Sequence, residues 1–268
     1  MSDSALPEAL RESVLRRLGF HAPPAADLEG LRAIYGAWCA NVPFDNVRKV
    51  IAIVEGWALP GRDAGDFFDN WLSAGTGATC WPTSNAICEL VRSLGFEARR
   101  VAGSMRDIGT VNHGSVVVTL GGGDWLIDTS MLTNLPLPLN RESFYQHDAV
   151  FAASVEYAGE AYVVWTRVLP QREHMPCRLH TEAVTRDYCI AKYEESRRES
   201  PFNRRLYARR NRPGELIVLH GNMRFRRTAE GTTSGELSRE EICEALCTDI
   251  GLSAGAVEQW ARADTSLG

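Results

Sequence analysis

The 268-residue chain is 44% hydrophobic and 24% charged, and its 29 basic and 34 acidic side chains leave a net charge of −5. That composition is globular, long enough for one large or two to three small domains, and it supplies no global positive field to gather nucleic acid. No run of 18 apolar residues offers a membrane span, the mixed-charge start MSDSALPEALRESVLRRLGF lacks the apolar core of a secretion signal, and seven cysteines without a CxxC pair argue against a disulfide framework and a zinc site, so a cytoplasmic location is expected.

Leu10, Val14, Leu15 and Leu18 recur at helical spacing, and Gly19 supplies a stop. Pro23 and Pro24 mark a linker. Asp27 then caps a helix with Leu28, Leu31, Ile34, Tyr35 and Trp38 on one face, which ends before Asn41 because Pro43 keeps Val42 out of the helical region. An apolar segment, Phe67 to Leu72, leads into the glycine-rich turn Gly75 to Thr79, followed by Cys80 and Trp81. Pro82 opens the next helix, with Ala86, Ile87, Leu90, Val91 and Leu94 as its apolar stripe and Gly95 as its stop.

After Gly95 the pattern turns to strands. Phe96 to Val101 is extended, Ser115 to Leu120 is valine-rich, Gly121 to Asp124 is a tight turn, and Trp125 to Asp128 is the returning strand. Further strands are predicted at Val150–Val155, Tyr162–Leu169, Thr181–Thr185 and Leu216–His220. A helix is predicted around Asn203 to Arg210 and another from Arg239 to Asp249, the latter with a Ser238/Glu241 capping box. The basic stretch from Arg197 to Arg212 is interleaved with Glu199, Phe202, Leu206 and Tyr207, and reads as a solvated helix or loop face, with anionic-ligand binding as the alternative. There is no internal repeat and no low-complexity block.

Cys80 lies between the glycine-rich turn and a helix start. Unpaired N–H groups and the positive helix end favour a thiolate there, the glycines let backbone approach an acyl group, and the same N–H groups can stabilise an oxyanion. His113 stands on the approach to one strand of the hairpin and Asp128 closes the other. Counting outward from a turn centred between Gly122 and Gly123, the two are roughly opposite, so adjacent strands can bring imidazole and carboxylate within hydrogen-bond reach. A carboxylate on one ring nitrogen fixes the tautomer and leaves the other nitrogen for the sulfur. Each residue alone reads as structural: a cysteine at a helix start, a histidine before a strand, an aspartate in a turn. The three in this order and setting form an activated-nucleophile pattern. His21, His147, His174, His180 and His220 lack such a setting and read as surface or packing residues.

With these residues in view, the chain resembles the arylamine N-acetyltransferase family over nearly its whole length. Asn41 to Val47 resembles that family's iPFENL segment, Gly77 to Asn85 its GGxCfExN turn, and Leu94-Gly95-Phe96 its LGF. Asn112-His113 resembles THxxLxV, Trp125 to Asp128 resembles ylvDVGFG, Ser200-Pro201-Phe202 matches SPF, and Ile250-Gly251-Leu252 resembles a closing FGI. The resemblance implies an α+β fold: a helical N-terminal bundle carrying the nucleophile helix (1–95), a central antiparallel β-barrel carrying His113 and Asp128 (96–195), and a C-terminal α/β lid (196–268), around a papain-like Cys-His-Asp core. It implies ping-pong transfer from an acyl thioester, with coenzyme A as co-substrate carrier and no tightly held cofactor or metal, through a Cys80 thioester to a small-molecule amine.

The chain also departs from the family pattern. No Arg precedes the nucleophile turn, Pro82 replaces a Glu, and Ser130, Met131 and Leu132 replace the glycines and Phe of DVGFG. These changes leave the three catalytic candidates in place and open the identity of donor and acceptor. An acyl carrier protein as donor, in an amide synthase of secondary metabolism, is one alternative; a transglutaminase-like cysteine hydrolase and a non-catalytic binding module are others. Phe44, Met131 and Phe202 are the candidate substrate contacts.

Overall fold

The structure, a computed structural model, describes residues 6–171 and 173–264. The first five residues of the N-terminal stretch judged for a secretion signal, and the last four of the expected lid, lie outside the described residues. Helices α1 (Glu8–Leu18) and α2 (Leu28–Asn41) lead to a short strand β1 (Phe44–Asp45), then α3 (Val47–Val54), α4 (Ala64–Ala74) and α5 (Cys80–Ser93). Strands β2 (Glu97–Met105), β3 (His113–Leu120), β4 (Gly123–Ile127), β5 (Leu137–Leu139), β6 (Phe144–Gln146), β7 (Ala153–Tyr157), β8 (Tyr162–Thr166) and β9 (Met175–Val184) follow, then helix α6 (Arg186–Glu195). The chain closes with β10 (Tyr207–Arg212), β11 (Glu215–His220), β12 (Met223–Thr228), β13 (Gly231–Glu236), α7 (Arg239–Ala245), a π-helical turn at Leu246–Ile250, and α8 (Ala254–Asp264).

The helical stretch follows its local signals. Gly19 ends α1 with φ 96°, and the Asp27 carboxylate caps α2 by accepting from the Gly30 N–H at 2.8 Å. Helix α5 starts two residues earlier than predicted, at Cys80, so Pro82 sits inside the first turn. There its missing N–H leaves no bond unmade. Every residue from Cys80 to Val91 is buried, not a stripe alone, because α4, α6 and the strands β2 and β3 surround the helix.

Strands β2 to β9 form an antiparallel eight-stranded sheet in the order β5-β4-β3-β2-β9-β8-β7-β6, and β5 returns to pack beside β7, so the barrel is nearly closed. Val101, Val117, Leu126, Met131, Val164 and Leu179 fill its interior. The β3–β4 turn is centred on Gly121 and Gly122, with φ 61° and 78°, one position earlier than the sequence suggested. Two positive φ values are what a two-residue hairpin needs. With Val116 opposite Ile127, the register carried one step on sets Asp128 across from Ser115, so His113 is its diagonal neighbour on the same face.

A second, five-stranded sheet runs β1-β10-β11-β12-β13. The helix predicted around Asn203 to Arg210 is instead a turn followed by β10, which hydrogen-bonds β1 on one side and β11 on the other. The basic stretch from Arg197 to Arg212 is a solvated face only in part: Arg198, Arg204 and Arg205 are exposed, Arg197, Arg210 and Arg212 are half-buried, and Arg209 is buried. The last predicted helix ends in the π-helical turn, and its capping box is present. Strand β9 begins six residues before the predicted Thr181 and β7 begins three after Val150; β1, α3, β5, β6, α6, β12, β13 and α8 had no sequence prediction.

Candidate active site

Cys80 occupies the first turn of α5, preceded by a turn that only glycine can make. A Cβ on Gly77 would lie 1.7 Å from the Pro43 carbonyl oxygen. The buried Asp45 holds that turn from below: its Oδ2 accepts from the Gly77 N–H at 2.6 Å and its Oδ1 from the Val47 N–H at 3.0 Å. Burial pushes the Asp45 carboxyl up to about 6 against these two hydrogen bonds. On the far side, Gly114 faces Trp81, and an added Cβ would come within 2.5 Å of the indole. The helix therefore sits directly on β3. Ser84 Oγ donates to the Gly114 carbonyl at 2.8 Å, and Thr83 and Thr129 share a hydrogen bond of 2.7 Å, which ties α5 to β3 and to the segment that follows β4. Deeper in, the buried Arg100 of β2 bonds Asn85 at 2.7 Å and pairs with Glu89, both on α5.

The three candidate catalytic side chains meet at this junction. The His113 Nε2 and Asp128 Oδ2 atoms are 2.6 Å apart, and both residues are buried. The Cys80 thiol donates to the carbonyl of Asn112, the residue before His113, at 4.0 Å. With Nε2 on the carboxylate, Nδ1 is the nitrogen left for sulfur. Burial by itself pulls the imidazole pKa down, but attraction and hydrogen bonding from Asp128 outweigh it and hold His113 well above its ordinary value. Burial likewise opposes the Asp128 charge, and the His113 partner with the Met131 N–H overrides it, so the carboxyl stays low. The carboxylate is thus placed to stabilise an imidazolium once the ring takes up a proton.

Asp128 is fixed from several directions. Its Oδ1 accepts from the Ser130 and Met131 N–H groups at 2.9 and 2.8 Å. Tyr35 of α2 donates its hydroxyl to the Asp128 carbonyl at 2.7 Å and accepts from the N–H groups of Asp128 and Thr133, each at 3.2 Å. Helical periodicity assigned Tyr35 a packing role only. Its partner lies 93 positions away, beyond any local signal.

Of the candidate substrate contacts, Phe44 and Phe202 come together edge to face, with centroids 5.3 Å apart, and Tyr207 joins them. Met131 lies elsewhere: its side chain is in the barrel interior, while its N–H serves Asp128. Burial pushes the thiols of Cys39, Cys177 and Cys189 up to about 12, which leaves them inert as nucleophiles. Lys49, buried beside Ser196 at 2.9 Å and over the Tyr193 ring, is lowered by burial to about 8. Among the described residues no group of three His, Cys, Asp or Glu side chains is arranged to hold a metal, and no helix is long and apolar enough to cross a membrane.

A profile of the N-acetyltransferase family matches residues 27–257. Proansamycin X synthase of Amycolatopsis mediterranei is 28% identical over 126 residues, a stretch covering 44% of this chain and 46% of that protein, so the chain spans about half the length of this curated relative. The arylamine N-acetyltransferase of Mycobacterium marinum, solved in complex with CoA, superposes with a TM-score of 0.83 at 19% identity, covering 95% of this chain and 97% of the other. The arylamine N-acetyltransferase of Salmonella typhimurium superposes at 0.80 with 16% identity, covering 96% of this chain and 100% of the other. At such identities these two bear on the fold.

Proposed function

Because the chain belongs to the N-acetyltransferase family, we propose that it is a cysteine-dependent N-acyltransferase in which Cys80 is the nucleophile, His113 the proton carrier and Asp128 the orienting acid. The observation that carries this reading is the buried 2.6 Å contact between His113 and Asp128, beside the helix start where the Cys80 thiol bonds the Asn112 carbonyl next to His113. His113 takes the thiol proton at Nδ1, and the sulfur attacks the carbonyl carbon of an acyl thioester. The first-turn N–H groups of Cys80 and Trp81 have no intrahelical acceptor and face the oxyanion that forms. Collapse of that intermediate breaks the donor's C–S bond. The proton on His113 passes to the departing thiolate, and Cys80 retains the acyl group. An amine then attacks the Cys80 thioester, loses its proton to His113, and leaves as the amide while Cys80 regains a thiol.

The donor class is a coenzyme A thioester, in keeping with the CoA complex of the Mycobacterium marinum relative. A second reading, amide synthesis from a carrier-bound acyl chain, is favoured by the likeness to proansamycin X synthase. Intact-protein mass spectrometry after exposure to acetyl-CoA, longer acyl-CoAs and an acylated carrier protein tests both. An acyl adduct on Cys80, discharged faster as amine is added and absent from Cys80→Ala, is the expected result. Discharge at a rate indifferent to amine would replace transfer by hydrolysis, and no adduct with any donor would remove the enzyme reading.

A further inference from the structure

The segment after Asp128 has a backbone shape that its residues do not favour. Leu132 has φ 47° and Asn134 has φ 65°. Left-handed φ is uncommon outside glycine, and a buried leucine holds it only where the surroundings over-determine it. Two side chains of β10 supply that constraint. Asn211 Nδ2 donates to the Leu132 carbonyl and to the Asn134 side-chain oxygen, both at 2.7 Å. The buried Arg209 donates from Nη1 to the Ser130 carbonyl at 3.3 Å and from Nη2 to the Leu132 carbonyl at 3.4 Å.

The same strand also reaches the nucleophile. Arg209 is paired with Phe44 and Ala208 with Asp45 along β1. From β1, the Asp45 N–H donates to the Ala78 carbonyl at 3.3 Å, and the Asp45 carboxylate holds the Gly77 N–H. Strand β10 therefore grips the turn before Cys80 through its backbone, and the segment after Asp128 through its side chains.

We propose that Arg209 and Asn211 are positioning residues of this site. They hold residues 129–134 so that the Ser130 and Met131 N–H groups stay on Asp128 Oδ1 and leave Oδ2 for His113. Strand β10 thereby sets the place of the carboxylate relative to the sulfur. The proposal rests on the Cys80–His113–Asp128 reading above and extends it to residues that touch none of the three side chains.

Alkylation of Cys80 by iodoacetamide, followed by peptide mass, reads this arrangement without any acyl donor. Asn211→Leu keeps the side-chain size but loses the donor. It should lower the Cys80 alkylation rate at pH 7 about tenfold, equivalent to about 1.4 kcal/mol. Arg209→Met should act in the same direction, and Arg209→Lys, which keeps a charged donor, should recover part of the loss. In an Asp128→Asn background, Asn211→Leu should cost nothing further, because both changes act through one carboxylate. A merely structural asparagine would lower the melting temperature equally in both backgrounds and slow alkylation equally in both. That additive result, or a wild-type rate for Asn211→Leu, overturns the proposal. A wild-type protein that alkylates no faster than Asp128→Asn would instead remove the triad itself, and failure of the thioester panel alone would remove only acyl transfer.

Discussion

Replacing Asp128 by Asn tests how the carboxylate acts, because the two side chains have the same size. The N–H groups of Ser130 and Met131 both donate to Oδ1, so they would hold the amide oxygen of the new side chain in that place. Its NH₂ group then faces His113 Nε2, which must accept a proton bond instead of giving one. The ring is forced into the Nδ1–H tautomer and offers Cys80 a donor where a base is needed. Loss of the tautomer, together with the charge on a 2.6 Å contact, should slow acylation of Cys80 by about 10³- to 10⁴-fold, or about 4–5 kcal/mol of barrier. The folding cost is smaller, about 1.5–3 kcal/mol for a hydrogen bond to a charged group, so the variant stays folded.

The pH dependence has a definite sign. His113 is raised in the folded chain, so its contribution is complete below about pH 6.5 and fades as pH rises through the folded value. Asp128 is lowered, so its contribution is complete above about pH 4 and fades as pH falls through its folded value. The melting-temperature gap between wild type and Asp128→Asn should be widest between those limits. Single-turnover mass spectrometry measures the rate and calorimetry the gap. A folded Asp128→Asn protein that acylates within tenfold of wild type would refute the reasoning.

Gly114→Ala should force the Trp81 ring from a position where the new Cβ would be 2.5 Å away, and the ring is buried with Tyr188 at its edge. Overpacking of this kind costs about 1–3 kcal/mol. The expected drop in melting temperature comes with slower acylation of Cys80, and an unchanged melting temperature would show that the α5–β3 contact is loose. The buried Asp45 carboxyl should leave its own mark on stability. Its folded value of about 6 lies above that of the unfolded chain, so its stabilising share is complete below about pH 4 and is lost as pH rises through 6, a change of about 3 kcal/mol. Asp45→Asn should flatten the fall in stability between pH 4 and 7, measured by denaturant unfolding, and a slope unchanged from wild type would contradict the assignment.

The parts of the site that sequence reasoning located were those written in short-range chemistry. A glycine turn, a cysteine and a helix start stand within a few residues of one another, and a glycine hairpin presents His113 and Asp128 on one face. The one-position error in the turn centre arose because three consecutive glycines leave the choice of central pair to the strand register. Strand β10 was misread because Ala208, Arg209 and Arg210 favour a helix locally, and its decisive partner β1 lies far upstream. Leu132 read as one of the replacements in the DVGFG-like segment, but not as a left-handed residue, since that conformation is held by Asn211 and Arg209 from another sheet. Met131 was read as a candidate substrate contact, whereas its side chain packs inside the barrel.

The pairing of Phe44–Asp45 with Ala208 and Arg209 also bears on how the protein comes into being. A nascent chain emerging from the ribosome can pack its helices and curl its barrel early, as N-terminal segments generally do. Strand β1, which holds the turn before the sulfur, has no strand of its own to pair with until residues 207–212 have been synthesised and have come into place. Chemical competence is then among the last properties the molecule acquires, and a stalled translation product lacking that strand would hold an unfinished thiol site.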